Sequence, residues 1–208
     1  MKNKILIAAF AAAVCASASF GEGIFLGIEG DYSFKSSLTT KWSEEDWETD
    51  KDRKAQAALG FKGGYDFGIA RAYGQYLYAF KASKTNTDED GVVKHEWNKH
   101  ILLVGGDFTP EITSDLKLVA GAYTGVSFLK YKDSYRNFDG ASGSTTETTP
   151  GWVIGAKLGG LYSFDTHHEI EFGYKADYTR YKASKFGEGV NKVYETNHGI
   201  YLGYNFKF

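Results

Sequence analysis

The chain has 208 residues, enough for one ordinary domain with a sizeable core. Its formal charge of −2 gives no basic surplus for nucleic acid. A mean hydropathy of −0.37, with no apolar stretch of ~18 residues past the amino-terminal segment, excludes a membrane-spanning helix.

Residues 1–18 open with Lys2 and Lys4, run apolar from Ile5 to Cys15, and close on Ala16-Ser17-Ala18. A basic start, a short apolar centre and an A-x-A end make a secretory signal, too short to span a bilayer. Ala16 and Ala18 mark the expected cleavage site, after Ala18 with Ser19 as the alternative. Residues 19–208 then form one domain. Cleavage removes Cys15 and Met1, the one cysteine and the one methionine, so no disulfide or cysteine-held metal remains. Lys2 and Lys4 leave and no acid does, which makes the mature chain more acidic.

From Ile24 the chain reads as eight segments of period-2 alternation, each a strand with two unlike faces. In Ile24-Phe34, Ile24, Leu26, Ile28, Tyr32 and Phe34 oppose Gly27, Glu29, Asp31 and Ser33. In Gln56-Tyr65, Leu59, Phe61 and Tyr65 oppose Gln56, Gly60 and Lys62. In Ala70-Lys81, Tyr76, Tyr78 and Phe80 oppose Arg71, Tyr73, Gln75 and Lys81. Asn98-Phe108 sets Leu102, Val104 and Phe108 against Lys99, Gly105 and Asp107. Leu116-Leu129 sets Leu118, Val126 and Phe128 against Lys117, Gly121, Gly125 and Ser127. Trp152-Phe164 alternates most cleanly, with Trp152, Ile154, Leu158, Tyr162 and Phe164 opposite Gly155, Lys157, Gly159 and Ser163. Glu169-Tyr181 sets Ile170, Phe172 and Tyr174 against Glu171, Gly173, Lys175 and Asp177. The last segment, from Glu195, ends on Ile200, Leu202, Tyr204, Phe206 and Phe208, opposite Gly199, Tyr201, Gly203, Asn205 and Lys207.

Short connections (Asp66 to Gly68, Thr109 to Asp115, Asp165 to His168) alternate with long polar ones (Ser36 to Arg53, Ala82 to Lys94, Lys130 to Pro150, Lys182 to Tyr194). Short inner turns and long outer loops are the pattern of a transmembrane barrel, with both termini on the inner side. The expected fold is an eight-stranded antiparallel up-and-down transmembrane β-barrel, with ten strands as the alternative if Lys130-Asn137 extends its hairpin. Pro110 is placed in a turn and Pro150 at a loop end, neither interrupting a strand. The 141–149 stretch, rich in Ser, Thr and Gly, reads as a flexible loop.

A soluble up-and-down barrel would be apolar inside and polar outside. Here the aliphatic and aromatic face is continuous and carries aromatics toward the strand ends, as a lipid-facing surface does. The opposite face is then the interior. Eight strands leave it just wide enough to be filled by side chains, so Glu29, Lys62, Arg71, Gln75, Lys117, Lys157, Glu171, Lys175 and Asp177 are expected to pair there between small neighbours. A polar plug rather than an open channel follows.

The strand that ends on Phe208, with Phe206, Tyr204, Leu202 and Ile200 on one face, resembles the closing strand of bacterial outer-membrane barrels. With the eight alternating segments, it makes the chain similar to the OmpA-like and opacity-type (porin family) barrels over essentially its whole mature length. That resemblance implies a Gram-negative outer-membrane location, contact with outer-membrane lipid and lipopolysaccharide, and recognition of the terminal run by the barrel-assembly machinery. It implies a structural or interaction role through four loops, in adhesion, host interaction or envelope integrity. The chain leaves no room after the last strand for the periplasmic domain of full OmpA proteins.

Other chemistries have weaker footing. His167-His168 lies in a short turn without partner ligands, which reads as solvated. The loop from Lys41 to Asp50, with Trp42, Trp47 and several acids, reads as a solvated, self-repelling loop, with a divalent cation or a surface partner as the alternative, and the Asp88-Glu89-Asp90-Gly91 run matches an EF-hand loop at too few positions. A barrel enzyme acting on lipid A needs a nucleophile beside a base. His95 is the histidine expected to face inward near the outer rim, and no serine pairs with it; His100 and His198 fall on the outward face. No catalytic, metal or cofactor residue is assigned. A small channel and a lipid A-modifying enzyme stay as alternative functions.

Overall fold

A computed structural model describes residues 23–42, 49–88, 91–137, 142–183 and 190–208. They form eight strands: β1 (Ile24–Trp42), β2 (Thr49–Asp66), β3 (Ala70–Asp88), β4 (Gly91–Phe108), β5 (Leu116–Asn137), β6 (Ser142–Ser163), β7 (His168–Tyr181) and β8 (Val190–Lys207). Each pairs antiparallel with its neighbours in chain order, and β8 returns to β1 to close the barrel. Closure satisfies both sides of each strand within the ring, while above it, among the described residues, β2 before Ala58 has no β3 partner and β6 before Gly151 has no β7 partner. The strand number is eight; the long β5–β6 hairpin adds no further pair to the ring.

Alternation sorts the side chains. Phe61, Leu158 and Leu202 are at least 60% exposed on the outward face, while Glu29, Lys62 and Glu171 are at most 2% exposed on the other. The turn between β2 and β3 is tight: Gly68 adopts a φ of 85°, and its N–H bonds Asp66 Oδ1 at 2.8 Å. A left-handed backbone there suits glycine and strains other residues.

Four expectations need correction. Three of the four long connections are mostly strand and the fourth is strand from Val190, since β1 runs to Trp42, β2 starts at Thr49, β3 and β4 reach Asp88 and Gly91, and β5 reaches Asn137. Above the lipid the outward face is no longer apolar, so the alternation fades while the backbone still needs its hydrogen-bond ladder. The 142–149 stretch, read as a flexible loop, pairs with Leu129–Arg136 of β5. Pro150, read as a loop end, lies inside β6 opposite Phe128. Its carbonyl accepts from Lys182 N–H, so its missing N–H points to the side where β7 has ended at Tyr181, and the β5 ladder loses nothing.

Finally, alternation places Lys81 with the interior residues, but its side chain is 62% exposed. The register slips between Ala79 and Ala82, and the extra residue flips the strand's parity. A second slip between Ser33 and Lys35 does the same to β1 and turns Leu38 inward.

That flip helps build an apolar plug in the outer mouth. Leu38, Ala82, Trp97, Leu129, Tyr181 and Val193 pack together, with Trp97, Leu129 and Val193 at most 1% exposed. Burying each such side chain contributes about 1.5–3 kcal/mol.

Candidate functional site

The interior below the plug is a stack of ion pairs. At its floor Arg71 bonds Asp66 at 2.7 Å and Glu169 at 2.6 Å, tying β3 to β2 and to β7 across the lumen. Lys207 adds a contact to Asp66 at 3.2 Å, and the Arg71 guanidinium lies 5.1 Å from the Phe25 ring. Lys117 stays at this level, near the Gly68 carbonyl (3.1 Å) and Glu111 (3.7 Å), apart from the central network.

The centre is organised by Glu171, which accepts from Lys62 at 2.6 Å and Lys157 at 2.7 Å. Lys62 continues to Glu29 (3.1 Å), and Lys157 to Asp107 (2.9 Å). Lys175 contacts Glu29 at 3.3 Å and pairs with Asp31. Buried charges are stable only when compensated in this way. Gln75 is buried beside Lys62, its cross-strand neighbour. The glycines make the room: a Cβ on Gly155 would collide with the Tyr123 ring. Asp177 turns away from the central pairs, accepting from Asn197 at 2.9 Å and Tyr123 at 3.4 Å.

Above them, Glu195 accepts from Lys99 at 2.6 Å and Tyr181 at 2.9 Å and pairs with Ser36. Between this layer and the centre lies a cavity of about 40 Å³ lined by Asp31, Lys99, Lys175 and Asn197. Asp31 Oδ1 and Asn197 Oδ1 are buried there with no protein donor, so the cavity suits a few water molecules.

Asn205 is buried on the interior face that alternation gives it, and Asp66, Glu169 and Glu195 also belong to this interior although no pattern singled them out. Parity with Glu171 and Asn205 would have found Glu169 and Glu195. Asp66 sat in a turn, where parity says nothing.

The outward face is a belt of aliphatic side chains between two aromatic rings. At the turn end, Tyr162 meets Phe164 edge-on at 5.1 Å and Phe206 meets Phe208 likewise. His167 and His168 lie beside this ring at the exposed turn: His168 Nδ1 lies 2.5 Å from the Tyr204 hydroxyl, and His167 stacks 5.9 Å from Phe206. At the hairpin end, His100 and His198 bond Tyr76 and Tyr174, each at 2.8 Å. Aromatic rings at both margins of an apolar belt are how a barrel sits in a bilayer. Of the terminal run, Ile200, Leu202, Tyr204 and Phe208 are exposed on this belt and Phe206 is half-buried.

His95 lies near the outer mouth, with Nδ1 at 2.5 Å from Asp133 and 2.7 Å from Tyr131. No serine or threonine hydroxyl is bonded to it among the described residues, which also hold no group of three metal-ligating side chains. Ala16, Ala18, Trp47 and most of the acidic first connection lie outside the described residues.

No protein-family model matches the chain, and no curated protein does. Among solved structures it is similar to outer membrane protein H (OprH) of P. aeruginosa, at 21% identity and a TM-score of 0.51 over 90% of this chain and 100% of that one. It is also similar to Ail, the attachment invasion locus protein of Yersinia pestis, in complex with the heparin analogue sucrose octasulfate (13% identity, TM-score 0.47, 90% of this chain and 100% of that one). A third is Neisserial surface protein A (14%, 0.47, 90% and 98%). The likeness is one of fold, that of the small outer-membrane β-barrels. With its lipid-facing belt, such a fold belongs in a bacterial outer membrane.

Proposed function

We propose that this protein is a closed outer-membrane anchor that displays four long hairpins as an interaction surface, in adhesion, host interaction or envelope integrity. The carrying observation is the filled lumen. Glu171, Lys62 and Lys157 occupy its centre, and Trp97, Leu38 and Val193 plug its outer mouth. A channel needs a continuous water path, and a cavity of about 40 Å³ between two filled layers supports none. Against a lipid A-modifying enzyme stands His95, which is held by Asp133 and Tyr131 with no serine or threonine hydroxyl bonded to it among the described residues.

In this reading residues 1–18 are removed after Ala18 on export. The Phe208, Phe206, Tyr204, Leu202 and Ile200 run is read by the barrel-assembly machinery, and outer-leaflet lipid and lipopolysaccharide surround the belt. The test is to shorten each hairpin in turn, beginning with residues 134–145 of β5–β6, and to score binding to cultured host cells and to immobilised extracellular matrix. Loss of binding in at least one variant whose barrel still folds is expected. Four folded variants that bind like the parent, or lipid A of altered mass when the gene is expressed in a strain that lacks it, would overturn the reading.

A further inference from the structure

Charge on the hairpins is sorted by face. On β1, β2, β5, β7 and β8, the first charged outward residue beyond the last apolar outward one is a cation: Lys35 after Phe34, Arg53 after Ala55, Lys130 after Phe128, Arg180 after Tyr178, and Lys192 after Tyr194. The register fixes their direction. Lys35 pairs across from outward His198, and Arg180 from outward Trp152. All five are exposed, and none has an acid partner among the described residues.

The acids of the same hairpins turn the other way. Glu195 is buried in the lumen, Asp133 is spent on His95, and Glu147 faces inward opposite Tyr131. The outward acid on β4, Glu96, is already held by Lys81 at 2.8 Å and Lys94 at 2.7 Å. The turn end shows the reverse: its exposed charges are Glu111, Asp115 and Asp165.

We infer that Lys35, Arg53, Lys130, Arg180 and Lys192 form a collar that binds the phosphate groups of the phosphorylated glycolipid in the outer leaflet. Height supports this. Aromatic rings sit at the level of the headgroups, so cations one step beyond them reach the phosphates. Lys192 shows the geometry, with its ammonium 5.4 Å from the ring centre of Tyr194 while its end reaches outward. The complementarity is local, because the protein as a whole carries a net negative charge. Bound in this way, the collar fixes the depth of the barrel and ties a shell of glycolipid around it. The inference rests on the outer-membrane reading.

The test is native mass spectrometry of the mature full-length barrel in detergent, titrated separately with bisphosphorylated lipid A, the same lipid A stripped of phosphate, and inorganic phosphate. Each neutralised cation should loosen the phosphorylated lipid about 5-fold, from ~1 kcal/mol per Lys or Arg near an anionic surface. The variant K35Q/R53Q/K130Q/R180Q/K192Q should therefore retain it no better than stripped lipid A, and K130R/R180K should behave as wild type. Folding is checked by heat-modifiable migration; K130Q and R180Q, measured singly, serve if the fivefold variant does not fold. Equal retention of both lipids by wild type, unchanged retention by the Gln variants, or displacement by millimolar inorganic phosphate would each overturn the inference. Failure of the wild-type barrel to insert into vesicles would instead sink the outer-membrane reading itself.

Discussion

At the turn end of the barrel, short connections are fastened by charge: Arg71 joins Asp66 and Glu169, Lys207 reaches Asp66, and the exposed groups are acids. At the hairpin end, Leu38, Trp97, Leu129 and Val193 close the mouth by apolar packing, the strands continue upward, and the outward groups are cations. The same eight strands thus make an ionic floor below and an apolar lid with a basic rim above. One end holds the barrel shut and the other presents it.

The largest effect is expected at the centre, where the two halves meet. Glu171→Ala leaves Lys62 and Lys157 short of a carboxylate in a closed lumen and should cost about 3–5 kcal/mol in urea unfolding from lipid vesicles. A cost below 1 kcal/mol would mean that water, not Glu171, compensates those lysines.

On the outward face of the same region, Leu158→Arg places a cation toward the bilayer midplane and should cost about 2–4 kcal/mol. Ser163→Asn, on the lumen side, should cost less. Equal unfolding free energies for the two would reverse the assignment of faces.

At the lid, Leu38→Ala should cost about 2 kcal/mol, at the low end for a buried leucine because side chains at a barrel mouth relax into the gap. An unchanged unfolding midpoint would remove the lid from the account.

The smallest effect lies in the β6–β7 turn. The backbone N–H groups of His167 and His168 both donate to the Asp165 carboxylate at 2.8 Å and hold its pKa below the ordinary 3.8. A depressed folded value means the stabilisation is present above the ordinary value and is lost as pH falls through the folded one. Carboxyl NMR titration should place the Asp165 midpoint below 3.8, and Asp165→Asn should abolish that acid-side loss. A midpoint at or above 3.8 would show that the turn opens in solution.

The membrane-spanning half of this molecule was legible because lipid on one side and a packed lumen on the other impose strict alternation, as in Trp152–Phe164. The same parity placed Glu29, Lys62, Lys157 and Glu171 on one surface, although which acid meets which base waited on the register. Illegible were features that alternation does not encode. The slips near Ser33 and Ala79 carry no sequence mark, so alternation alone sends Lys81 inward and leaves Leu38 in a connection. The hairpins above the lipid lack an apolar outward face, so their sequence reads as loop. Trp97, buried in the lid, lies just before the stretch recognised as a strand, so its partners Leu38 and Val193 could not be inferred.

The central claim is a closed lumen, and single-channel recording of the mature barrel in planar bilayers tests it most directly. The account predicts a silent membrane, with no stable conductance steps at voltages the bilayer withstands. Large, stable steps that recur with each insertion would contradict it.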